Sequence, residues 1–142
     1  MEVRGIVGLP VGHPDNPGKT HAIGENIRHA MALTRLVRQE FTRRDFRDLL
    51  LLMNTVEWMA TFKKSLITPE VALAGEKLKE ALIDLHAGFK REGKYSSGPC
   101  YEALKASVFV LDEWLDTLPL APVARAETEV KDFYARRSAQ SA

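Results

Sequence analysis

The 142 residues carry 45 % apolar and 27 % charged side chains, the balance of one globular domain closing around a single core. With 20 Lys and Arg against 19 Asp and Glu, the formal charge is +1. No global field therefore drives the molecule onto nucleic acid or an anionic membrane, and an electrostatic partner has to be met by a local patch. Cys100 is the one cysteine, which excludes an internal disulfide and a multi-cysteine zinc site. The longest apolar run, residues 49–53, is too short to span a bilayer, and no basic segment followed by a hydrophobic core opens the chain. A cytoplasmic protein with no membrane contact is expected.

Residues 1–19 are crowded with Gly5, Gly8, Pro10, Gly12, Pro14, Pro17 and Gly18 and read as an irregular arm. Helical spacing begins near residue 20. Ile23, Ile27, Ala30, Leu33 and Val37 recur every three or four positions and predict a first helix over about residues 20–40. Thr42 and Asp45 make a capping box, and Phe41 and Phe46 occupy the two positions of a hydrophobic staple. A second helix is therefore expected from Arg43 to about residue 63. It is apolar nearly all round (Leu49 to Met53, Val56, Trp58, Met59, Phe62), as suits a central helix with several neighbours.

Thr68, Pro69 and Glu70 open a third helix, which Gly93 closes behind Lys90 and Arg91. Gly75 and Gly88 inside it each cost about 1 kcal/mol relative to Ala, and so imply close approach of a neighbouring backbone. A fourth helix is expected from Pro99 to Leu118, with Leu104, Val108, Leu111 and Leu115 as its core stripe. A short fifth follows over about residues 122–137, with Val123, Ala126, Val130 and Phe133 inward and a fraying tail from residue 138. The class is all-α: an antiparallel bundle of four main helices, over residues 20–137, with a short C-terminal helix.

Few residues carry chemistry by pattern. The segment from Gly12 to Gly18-Lys19-Thr20 ends like a phosphate-binding loop, but His13 stands where its first glycine is required and Pro14 and Pro17 remove amide donors. An ordinary Pro/Gly turn explains it. His21, Glu25 and His29 lie four apart on one stripe, where neighbours can chelate a metal in pairs, with His13 as a conceivable third ligand. A solvated polar face is the simpler reading, and His86 reads as a partly buried histidine. At the start of the fourth helix, amide dipoles can lower the pKa of Cys100, yet no histidine is near it in sequence. It is read as a half-buried structural thiol. Neither a cofactor nor an enzyme activity is expected.

The compositional anomaly is arginine. Arg28, Arg35, Arg38, Arg43, Arg44 and Arg47 fall in a stretch whose acids are Glu40 and Asp45. Such a local excess forms a basic surface for an acidic protein partner or, as the rival, for nucleic acid; otherwise it is a solvated face paired with Glu102, Asp112, Glu113 and Asp116. Residues 49–60 offer base edges one Asn, which disfavours them as a recognition helix. Self-association through the second helix is a further variant. Phe109 falls in the middle of the polar face of the fourth helix: it is either covered by the arm or the fifth helix, or it is a binding anchor.

Residues 78–115, with Ala81-Leu82, the turn Phe89-Lys90-Arg91-Glu92-Gly93-Lys94-Tyr95 and then Gly98-Pro99 and Glu102-Ala103-Leu104, resemble a helical hairpin of small proteins encoded by bacterial prophages and mobile elements. The resemblance implies a genomic setting and carries over no catalytic residue. Lys90, Arg91, Lys94 and Tyr95 suit contact with an anion, although a helix stop with Tyr95 folded back on the core accounts for the same residues. The expected function is a non-enzymatic protein-binding regulator, inhibitor or assembly factor, with a nucleic-acid-binding accessory protein as the alternative.

Overall fold

Local signals place the helix boundaries in the computed structural model, which describes residues 17–141, with side chains from residue 26 to residue 139. The five α-helices are α1 (Pro17–Val37), α2 (Arg43–Phe62), α3 (Pro69–Glu92), α4 (Tyr101–Asp116) and α5 (Leu120–Ser141), with a 3-10 turn at Lys64–Leu66; the described residues contain no strand. The all-α class holds. The arm expected over residues 1–16 lies outside the described residues, whereas residues 17–19 belong to α1.

At the start of α2 the Thr42 hydroxyl accepts from the Asp45 amide at 3.2 Å, and the Asp45 carboxylate accepts from the Thr42 amide at 3.0 Å. That is the capping box in both directions. The staple residues Phe41 and Phe46 both meet Tyr95, at centroid distances of 5.0 and 5.6 Å. Thr68 caps α3 through the Val71 amide, and Gly93 ends it at φ 77°, a left-handed conformation that glycine adopts without a Cβ clash.

The boundaries of α1, α4 and α5 differ from expectation. α1 stops at Val37 because Gln39 turns left-handed at φ 63°, while the Gln39 and Glu40 amides donate to the Leu36 and Arg35 carbonyls at 3.2 and 2.7 Å. This closes the helix early and turns Phe41 into the core. α4 is shorter than expected at both ends. α5 is not a short appendage: with 22 residues it packs on α2 and α1, and it continues past residue 138.

The core is built from Leu36, Leu49, Met59, Leu78, Leu104 and Leu111, all fully buried. α2 touches α1, α3 and α5, as its apolar breadth requires, and α4 lies against α3 and α1. Its apolar surface is not all covered, since Phe62 is exposed. Trp114 of α4 donates its indole N–H to the Leu66 carbonyl at 3.0 Å and ties α4 to the turn after α2. A Cβ on Gly75 would meet the Val56 side chain, Cγ1, at 3.4 Å, about an ordinary van der Waals contact, so the neighbouring backbone expected there is not found. Gly88 has no such neighbour: the Arg91 guanidinium, at 3.8 Å, is a flexible end of its own helix, and the expected backbone contact is absent.

Candidate functional site

Two grooves of opposite charge mark the surface. The first lies between α1 and α4, with a volume of about 590 Å³. Ala30, Leu33, Ala106 and Val108 supply its apolar wall, and Phe109 stands in it at 65 % exposure. The ring is uncovered because it occupies the outward line of α4, opposite the stripe of Leu104, Leu111 and Leu115 that enters the core. Glu102, Asp112, Glu113 and Asp116 line the groove against a single Lys105. An apolar ring framed by carboxylates presents dispersion contact at its centre and negative charge at its rim, the arrangement of a protein-docking surface.

Asp112 is not the solvated acid that its spacing implied. It is buried, and its two carboxylate oxygens lie 2.8 and 3.0 Å from Nδ1 of His29, itself 3 % exposed. This bond joins α1 to α4 beneath the groove and corrects the expectation of a solvated polar face at His29, which is buried against Asp112. Among the described residues no group of three His, Cys, Asp or Glu is placed to hold a metal. The side chains of His13, His21 and Glu25, and residues 12–16 of the segment that ends in Gly18-Lys19-Thr20, lie outside the described residues.

The arginine cluster divides. Arg35 does not face the acids of α4. Its Nε donates to Asp45 Oδ2 at 2.9 Å and Nη2 to Oδ1, a two-point contact. Burial pushes the Asp45 carboxyl up, but the Arg35 guanidinium and the Thr42 amide outweigh it and hold the group below its ordinary value; the same bond raises Arg35. Arg35 is thus part of the helix corner and not of a free basic surface. Arg28, Arg38, Arg43 and Arg44 are exposed, and Arg47 turns into the second groove.

That second groove, of about 650 Å³, lies between α2 and α5. Leu50, Leu51 and Phe133 form its apolar part, with Arg47, Lys131 and Arg137 against Asp48. Phe133 was expected inward but is 47 % exposed, with Arg137 lying over its ring at 5.6 Å. Its neighbour Tyr134 bonds to Asn54 of α2 instead. Adjacent aromatics on a helix point about 100° apart and cannot both enter one core; the pair Phe133-Tyr134 was the signal available for this surface.

The basic turn does not bring its four residues together as an anion site. Tyr95 is buried, stacked on Phe89 at 4.5 Å, and burial pushes its hydroxyl up against a smaller opposing effect of Arg43. Lys90, Arg91 and Lys94 remain exposed. Burial, then the nearby Asp84, raises the Cys100 thiol, which donates to the Ser97 carbonyl at 3.6 Å. Cys100 is half-buried, as expected, and its desolvation outweighs the lowering that amide dipoles can give. His86 is exposed, tilted over Phe46 at 5.9 Å, and not partly buried. No helix among the described residues is long and apolar enough to cross a membrane. The chain matches no protein-family model, no curated protein and no solved structure.

Proposed function

We propose that this chain is a non-enzymatic helical protein-binding module, acting as a regulator, inhibitor or assembly factor, and that the groove between α1 and α4 is its docking surface. The observation that carries this reading is Phe109, 65 % exposed among carboxylates. The partner chemistry that fits is an apolar side chain flanked by Lys or Arg. The raised, carbonyl-bonded Cys100 thiol speaks against Cys100 as a nucleophile, because a nucleophilic cysteine requires stabilisation of its thiolate. The prophage or mobile-element setting, the cytoplasmic location and the antiparallel run of the helices belong to the same proposal; they rest on the hairpin resemblance, the apolar-run lengths and the short connections.

A second reading, binding of an acidic protein or of nucleic acid, is supported by the exposure of Arg38, Arg43 and Arg44 around the corner of α1 and α2. Salt separates nucleic acid from the first reading: contact through several phosphates weakens steeply with ionic strength, whereas an interface anchored by an aromatic ring and rimmed by a few charges weakens far less. The direct test is Phe109→Ala. Its melting temperature should stay within a few degrees of the parent, while capture of partner from host extract falls about tenfold or more. Unchanged capture, or a stability loss of about 3 to 5 kcal/mol as for a core phenylalanine, overturns the reading.

A further inference from the structure

We infer that the occupant of the acidic groove is a second copy of this chain, seated head to tail: the exposed line of α4 lies in the α2/α5 groove of its neighbour. The inference rests on the docking role proposed for Phe109 and names its partner. Charge complementarity carries it. One groove sets Glu102, Glu113 and Asp116 against Lys105, its fourth carboxylate, Asp112, being bonded to His29, and the other sets Arg47 and Lys131 against Asp48, with Arg137 lying over the Phe133 ring. The two have similar volumes, about 590 and 650 Å³, and each holds one largely uncovered phenylalanine, Phe109 or Phe133.

A helix ridge packs into the furrow between two helices. Glu102, Phe109, Glu113 and Asp116 follow one line along α4, so laying that line in the α2/α5 furrow brings Phe109 to Leu51 and Phe133 and sets the acids against Arg47 and Lys131. The net charge of +1 leaves little self-repulsion to oppose association. Because the two surfaces differ, the contact is heterologous and propagates from copy to copy.

The test is sedimentation of the full chain by analytical ultracentrifugation over the micromolar range, for the parent and two charge-reversed variants, Glu102→Lys/Glu113→Lys and Arg47→Glu/Lys131→Glu. All four positions are exposed, so both variants should melt with the parent. The parent should exceed its 15.9 kDa chain mass increasingly with concentration, and each variant alone should remain a single chain. Their equimolar mixture, in which every contact again joins opposite charges, should recover association. Phe109→Ala, which changes no charge, should weaken parental self-association about tenfold or more. A parent that stays a single chain throughout overturns the inference; so does a variant that still self-associates, as a symmetric dimer through one groove would, or a mixture that does not associate. The capture assay with Phe109→Ala is read separately, so a monomeric parent that loses host partners on that substitution removes the second copy and keeps the docking groove.

Discussion

Asp45→Ala probes the corner between α1 and α2. The carboxylate is 1 % exposed and accepts from the Thr42 amide and hydroxyl at 3.0 and 3.2 Å and from Arg35 at 2.9 Å through Nε, with a second bond from Nη2. Hydrogen bonds to a charged group contribute about 1.5–3 kcal/mol, and loss of a capping interaction about 0.5–2 kcal/mol. The deletion should therefore cost about 2–4 kcal/mol in urea denaturation at pH 7. Thr42→Ala, which leaves the contact with Arg35, should cost only about 0.5–2 kcal/mol.

The cost should also depend on pH in a defined direction. Because the carboxyl of Asp45 is held below its ordinary value, its contribution is complete above about pH 4 and disappears as pH falls from there toward the lowered value. The difference between parent and Asp45→Ala should thus be flat from pH 7 to about pH 4 and shrink below it. Arg35→Gln should destabilise too, and the double variant should lose less than the sum of the singles. An Asp45→Ala protein within about 0.5 kcal/mol of the parent at pH 7, or additive singles, would refute the reasoning.

Substitution of the exposed arginines Arg43, Arg44 and Arg47 by Gln should leave the urea midpoint nearly unchanged, and Arg35 has to be excluded from that set because of its corner bond. Gly88→Ala should raise stability by about 0.5–1 kcal/mol, since only the flexible Arg91 guanidinium is near, while Gly93→Ala should lower it, because its φ of 77° is strained for any residue with a Cβ. A lower melting temperature for Gly88→Ala would contradict the first assignment, and an unchanged or higher one for Gly93→Ala the second. Leu82→Asp, at a position 2 % exposed, should abolish cooperative unfolding followed by circular dichroism; a folded, cooperative variant would mean that α3 does not form the core described.

The sequence by itself determined what lies within one helical turn. Thr42 with Asp45, Thr68 with Pro69, and Gly93 announce helix ends because their bonds reach only three or four residues. The stripes Leu78, Leu82, Leu85 and Leu104, Val108, Leu111 point inward because a period of 3.6 puts them on one face. Phe109 was legible as an apolar break in a polar face for the same reason, though not whether another element covered it.

Tertiary structure decided the fate of residues at the edges of those stripes. Asp112 sits between the buried and polar faces of α4, and only the approach of α1, which brings His29 from 83 positions away, made it a buried acid. Arg35 looked like one charge of a patch until the left-handed turn at Gln39 folded α1 back onto the α2 cap and delivered its guanidinium to Asp45. Phe133 shared the spacing of an inward stripe, yet the docking of α5 on α2 bonded Tyr134 to Asn54 and left the neighbouring ring outside. Side-chain period sets which residues share a face, but whether the margin of that face is covered depends on the angle and partner of the packed helix, and those are properties of the whole chain.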